Sequence, residues 1–126
     1  MGFQDGDFRS ISTLRGLLDS RAISASELLQ DTLDLVQKTN PELNSFVMVT
    51  EELAREQAAA ADDRMMKNGP KSPLDGIPLA IKDLYDTAGI TTAGGTLAFE
   101  NRIPDKNATV VENLAEAGMV TIGKTN

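Results

Sequence analysis

Two short apolar runs in the second half of the chain constrain the fold more than any other feature. Ile77, Leu79 and Ile81 alternate onto one side of an extended segment, with Ala80 and Lys82 on the other. Met119-Val120-Thr121-Ile122 is a second run that reads as a buried strand. Between them lie the Gly/Thr-rich stretch Ala88–Gly95 (AGITTAGG), which reads as loop, and a helix carrying Val110, Val111, Leu114 and Ala117 on one face. Asn107 is the expected N-cap of that helix and Gly118 its stop. Strand, loop, helix, strand is a βαβ unit, and its two strands must pair in parallel beneath the helix.

The first third of the chain reads as helices. Leu14, Leu17 and Leu18 repeat at helical spacing after Ser10 and Ser12. Ser24-Ala25-Ser26-Glu27 has the form of a capping box, followed by the apolar stripe Leu28, Leu29, Leu33 and Val36. Asn40-Pro41 is expected to end that helix, because the residue before proline is pushed out of the helical region. Phe46-Val47-Met48-Val49 reads as a short strand. Thr50 then serves as an expected N-cap, and Glu51 and Glu52 suit the positive end of a helix dipole. The Ala-rich helix from there to Lys67 is expected to lie on the surface, and Asn68-Gly69-Pro70 stops it.

Composition narrows the chemistry. The 126 residues fit one domain with a modest core. With 12 basic and 19 acidic residues the net charge is −7, which argues against binding to a phosphate backbone. The chain has neither Cys nor His, so thiol, Ser-His and Cys-His chemistry and the usual metal ligands are absent. Any reaction must run on Lys, Asp, Glu, Ser, Thr, Tyr or backbone groups. The start, Met1 to Ser10 (MGFQDGDFRS), lacks the basic and apolar regions of a secretory signal. Gly2 is followed at position 6 by Gly, where a myristoylation motif requires Ser or Thr. No apolar run approaches the roughly 20 residues of a membrane helix. A cytoplasmic protein with no membrane and no nucleic-acid partner is the expectation.

Three motifs invite a chemical reading. Gly118 to Thr125 (GMVTIGKT) spells a P-loop, but a strand runs between its glycines where a phosphate loop would be needed, so nucleotide binding is not expected. Asp75, Asp83, Asp86 and Asp105 match no ligand loop and read as scattered surface acids. The Ala88–Gly95 run reads either as a cradle of amides for an anion or as a flexible connector. Lys82 is the residue of interest, since lysine is depleted in strand interiors. Desolvated there, it would lose basicity and act as a base, relaying protons through serine hydroxyls. The competing reading is a strand-end lysine whose head reaches water and pairs with an acid.

Four blocks in order, Gly76-Ile-Pro-Leu-Ala-Ile-Lys82-Asp83, Thr91-Thr92-Ala93-Gly94-Gly95, Asn107-Ala-Thr-Val-Val111 and Ala117 through Asn126, resemble the amidase signature family. The resemblance covers essentially the whole chain, including Asn44-Ser45-Phe46-Val47. It implies an α/β fold in which N-terminal helices precede the first strands of a mixed, helix-covered sheet, here as a partial domain. It also implies a hydrolase of carboxamide bonds, or an amidotransferase subunit that releases ammonia from glutamine, working by a Ser–cis-Ser–Lys triad. Lys82 corresponds by position to the triad lysine. The two serines and the Gly/Ser-rich oxyanion turn would lie beyond Asn126, so residues 1–126 read as the N-terminal segment of one domain. Such a segment is expected to be inactive alone. No cofactor and no metal is implied; the partners implied are a small-molecule amide and the remainder of the domain.

Two further expectations follow from the same reading. The loop from Thr91 to Glu100 leans toward a general amidase over a glutaminase subunit. The alternative of another class is a stand-alone binding module, which would have to fold cooperatively by itself.

Overall fold

The computed structural model describes residues 9–126; the acidic start and Gly2, on which the reading of Met1–Ser10 partly rests, lie outside the described residues. Its elements in chain order are α1 (Ile11–Asp19), α2 (Ala25–Leu43), β1 (Phe46–Val49), α3 (Glu51–Lys67), β2 (Pro78–Lys82), a 3-10 turn (Leu97–Phe99), α4 (Thr109–Glu116) and β3 (Val120–Thr125). The sheet has the order β1-β3-β2. β2 and β3 pair in parallel, as the βαβ pattern requires, while β1 runs antiparallel to β3 and makes the sheet mixed.

Local chemistry explains where most elements begin. The side chain of Ser24 accepts from the Glu27 amide, and the Ser24 amide donates to the Glu27 carboxylate, closing the capping box at α2. Asp62 of α3 adds to this by accepting from the Ala25 and Ser26 amides at 2.7 and 3.1 Å, which ties the two helices together. Gly69 takes φ +81° just past α3, in the left-handed position expected of it.

Several boundaries differ from expectation for identifiable reasons. Helix α2 continues through Pro41 to Leu43 and ends at Asn44, which takes φ 51°. Pro41 lacks one backbone donor, but the Asn40 side chain bonds both the amide and the carbonyl of Phe46 and secures the last turn to β1. Thr50 stands at the N-cap position of α3, as expected, but its side chain makes no capping bond there; its hydroxyl donates to the Thr121 carbonyl and its amide to that of Ile122. Asn107 likewise does not cap α4, because its side chain accepts from the Ala88 amide; Ala108 occupies the cap position. In both places a tertiary partner outcompeted the local helix amides.

The Ala-rich helix α3 is central and not superficial. Ala54, Ala58 and Ala61 are buried, and this stripe of small side chains lets α3 pack closely on α2 and β3. The core joins Leu18, Leu28, Leu29 and Leu33 to that stripe and to Ile77, Val120 and Ile122 of the sheet layer. On α4, Val111 is buried and Leu114 packs against the core, but Val110 faces solvent.

β3 is the middle strand and extends past Ile122 through Gly123, Lys124 and Thr125. Gly123 is required there: a Cβ would strike the Met48 carbonyl oxygen and crowd the Phe46 ring, where a bulge lets β1 close on β3. No helix among the described residues is long and apolar enough to cross a membrane.

Candidate active site

The parallel pair β2/β3 ends on one side of the sheet, and Lys82 and Asp83 lie there, whereas Asp75 precedes β2 beside Gly118 at the strands' other end. Lys82 is the last residue of β2 and pairs with Thr125 across the ladder. Ile81 beside it is buried while Lys82 is exposed, so the predicted alternation holds at this edge. Among the described residues the Lys82 ammonium has no ion-pair partner. The carboxylate expected to accompany it turns the other way: Asp83 is 6% exposed, and its Oδ2 accepts from the Ala93 amide at 3.2 Å.

The Gly/Thr-rich loop is neither a free connector nor a cradle for an external anion. Its Ala93 amide meets the Asp83 carboxylate and its Gly94 amide meets the Asp83 carbonyl at 2.8 Å. The Gly89 and Thr92 amides are bound to the carbonyls of Pro104 and Arg102. Of these amides only that of Ala93 holds an anion, and it is the chain's own carboxylate, one residue after Lys82. A recess of about 40 Å³ lies here, lined by Lys82, Asp83, Leu84, Gly94, Gly95 and Asn126. It has room for water and none for an amide substrate.

Of the other carboxylates, Asp75 also departs from the surface reading. Asp75 is 3% exposed and receives Arg64 in a two-bond fork of 2.9 and 2.6 Å, together with the Lys71 amide at 2.8 Å. Burial works against its ionisation. The Arg64 fork, the Lys71 amide and the nearby cationic charge outweigh that and hold the carboxyl below its usual range. Asp86 pairs with Arg102 through both oxygens at 2.7 Å, which likewise lowers its pKa. Asp105 is exposed, as expected. Among the described residues no group of three His, Cys, Asp or Glu is placed to hold a metal.

Gly118 to Thr125 is a turn followed by β3, and no phosphate loop forms. Within it, sequence reasoning missed the most unusual residue. Lys124 is 0% exposed, and its Nζ donates to the Tyr85 carbonyl at 2.6 Å, Thr87 Oγ1 at 2.8 Å and Thr92 Oγ1 at 3.1 Å. Desolvation lowers its pKa, while Asp83 and Asp86 pull the other way. The rule that picked out Lys82, a lysine at the end of an apolar alternating run, applies with greater force to Lys124. It was hidden because the strand was expected to stop at Ile122. With every ammonium proton engaged and no path to solvent, Lys124 has no geometry for taking a substrate proton.

Residues 27–126 match the sequence profile of the family described as Amidase. The chain is 46% identical over 118 residues to a glutamyl-tRNA(Gln) amidotransferase subunit of Coxiella burnetii (strain RSA 493 / Nine Mile phase I), covering 94% of this chain and 24% of that protein. It is 49% identical over 112 residues to the same-named protein of Pseudomonas putida (strain W619), covering 89% of this chain and 23% of that one. The chain therefore spans about a quarter of the length of these relatives. Among solved structures, the native peptide amidase from Stenotrophomonas maltophilia superposes with a TM-score of 0.85 at 30% identity, over 93% of this chain and 24% of that one. A bacterial aryl acylamidase of the amidase signature enzymes gives a TM-score of 0.88 at 27% identity, over 98% and 26% respectively.

Proposed function

The chain belongs to the amidase family, and on that premise we propose that it is the N-terminal segment of an enzyme that cleaves carboxamide C–N bonds, with Lys82 as its base. The observation that carries this reading is the family match over residues 27–126, which includes Lys82 at the carboxyl end of a parallel strand. Sites in parallel sheets gather at such strand ends, where side chains project beyond the ladder. In the proposed reaction, Lys82 takes a proton through a bridging serine from a second serine. That serine attacks the amide carbonyl, the C–N bond breaks as the leaving amine takes up the proton, and water then releases the acid from the ester. Both serines and the oxyanion donors belong to sequence outside residues 1–126. A base without nucleophile or oxyanion donors forfeits most transition-state stabilisation, so this segment alone turns nothing over.

The experiment is Lys82→Ala in the complete enzyme, assayed on simple amides. Turnover is expected to fall by a factor on the order of 10² to 10⁴ with the fold retained, the usual worth of a positioned acid–base group. Wild-type turnover in that variant would overturn the assignment.

A second reading has its own support, since relatives 46% identical over nearly the whole chain are amidotransferase subunits. On that reading the amide is glutamine and the ammonia passes to partner subunits. The purified polypeptide distinguishes the two: an amidase hydrolyses simple amides unaided, whereas an amidotransferase subunit needs its partners for full turnover.

A further inference from the structure

We propose that Lys124 is a positioning residue for Lys82: a buried ammonium on the central strand that fixes the turn leaving β2, and through it the base. This rests on the reading of Lys82 as base, and the geometry comes from the three bonds of Lys124 and the turn they hold. Lys124 faces Ile81 in the β2/β3 register, one position before Lys82. The turn after Lys82 is closed by the Tyr85 amide donating to the Lys82 carbonyl at 3.1 Å. The Tyr85 carbonyl of that turn is in turn the shortest contact of Lys124. Thr125, the next residue of β3, accepts from the Asp83 amide at 2.9 Å. Two consecutive residues of the middle strand therefore grip the backbone just after the base, at the Asp83 amide and at the Tyr85 carbonyl.

The chemistry of the acceptors explains why the grip is an ammonium. Thr87 Oγ1 donates its own proton to the Tyr85 carbonyl, and Thr92 Oγ1 donates its proton to that of Ile90. Both hydroxyls thus present only lone pairs to Lys124, as does the Tyr85 carbonyl. Satisfying three acceptors takes three N–H bonds from one atom, which only the protonated amine supplies. A guanidinium is planar and forked and does not match this compact tripod.

The three acceptors by themselves do not call for a cation here, although the buried Asp83 and the nearby Asp86 favour one. Without Lys124, the Tyr85 carbonyl still accepts from Thr87, and both threonine hydroxyls still have acceptors. An apolar side chain of similar length would fill the volume, but it leaves the buried Asp83 carboxylate without this nearby cation, so some stability is lost as well. What such a replacement removes is the tie from the central strand to the Tyr85–Thr92 loop beside Lys82.

The test compares Lys124→Met, Thr92→Val and Thr92→Ser with Lys82→Ala in the complete enzyme, with kcat referred to the folded fraction. Lys124→Met is expected to lower kcat by about tenfold or more at unchanged KM, the scale of loss seen when a reacting group is slightly misplaced. Thr92→Val is expected to lower kcat in the same way, and Thr92→Ser, which keeps the hydroxyl, to restore it. In the complete enzyme, Lys124→Met is expected to speed exchange of the Tyr85 amide by at least ~tenfold relative to amides in α2, the signature of local opening. Wild-type kcat in folded Lys124→Met, or equal loss in both Thr92 variants, overturns the proposal while Lys82 remains the base. Wild-type kcat in Lys82→Ala removes the base reading itself. Should Lys124→Met fail to fold, the Thr92 pair decides.

Discussion

Replacing Asp75 by Asn tests the electrostatic account of the loop that leads into β2. The Asp75 side chain is 2% exposed and Arg64 25%, so the pair is mostly out of water on one side and wetted on the other. Asp75→Asn keeps the volume but turns one of the two acceptors of the Arg64 fork into a donor. Breaking one partner of a fully buried pair costs about 3–5 kcal/mol, and the access of Arg64 to solvent places this case near about 3 kcal/mol. The assay is urea unfolding of the complete protein and its variant by circular dichroism at several pH values. The folded-state pKa of Asp75 lies below the ordinary 3.8, so its contribution is complete above that value and disappears as pH falls through the folded-state pKa. The gap between the two proteins should therefore be widest near neutrality and close on the acid side. A gap under about 1 kcal/mol at neutral pH, the range of exposed ion pairs, would refute the reasoning. So would a gap that stays constant into the acid range.

Two further substitutions probe backbone geometry. Gly118 has φ +92°, and a Cβ there would run into the Asp75 carboxylate, so Gly118→Ala is expected to cost about 2–4 kcal/mol by combining backbone strain with a displaced ion pair; a change below about 1 kcal/mol in the same unfolding assay would show that the loop yields freely. Ser24→Ala removes the acceptor for the Glu27 amide and is expected to cost about 1 kcal/mol, with Ser24→Thr retaining most of it; equal stability of the Ala and Thr variants in thermal unfolding would mean that Asp62 alone holds the start of α2.

Features governed by neighbours in sequence were legible without the structure. The capping box at Ser24, the stop at Gly69, the alternation of Ile77 to Lys82 and the parallel pairing of a βαβ unit each follow from a few adjacent residues. Lys82 was found in the same way, and it stands at the strand end where the alternation placed it. Where the reading failed, a distant partner had taken a residue whose local role was plausible. Thr50 gave its hydroxyl to Thr121, 71 residues away, and Asn107 gave its side chain to Ala88. Pro41 stayed helical because Asn40 is anchored to β1.

What the sequence alone determined is the order and type of the elements, together with the family that their motifs resemble. Those depend on short-range sterics and side-chain periodicity, which act through the nearest few residues. Only the tertiary structure decided which polar groups are buried. An Ala-rich helix became central because two other elements needed its small side chains, and a lysine written like a strand-end residue became fully buried because β3 lies in the middle of the sheet. Burial is a property of what surrounds a residue, and the three acceptors that make a buried ammonium at Lys124 tolerable come from a loop more than thirty residues earlier in the chain.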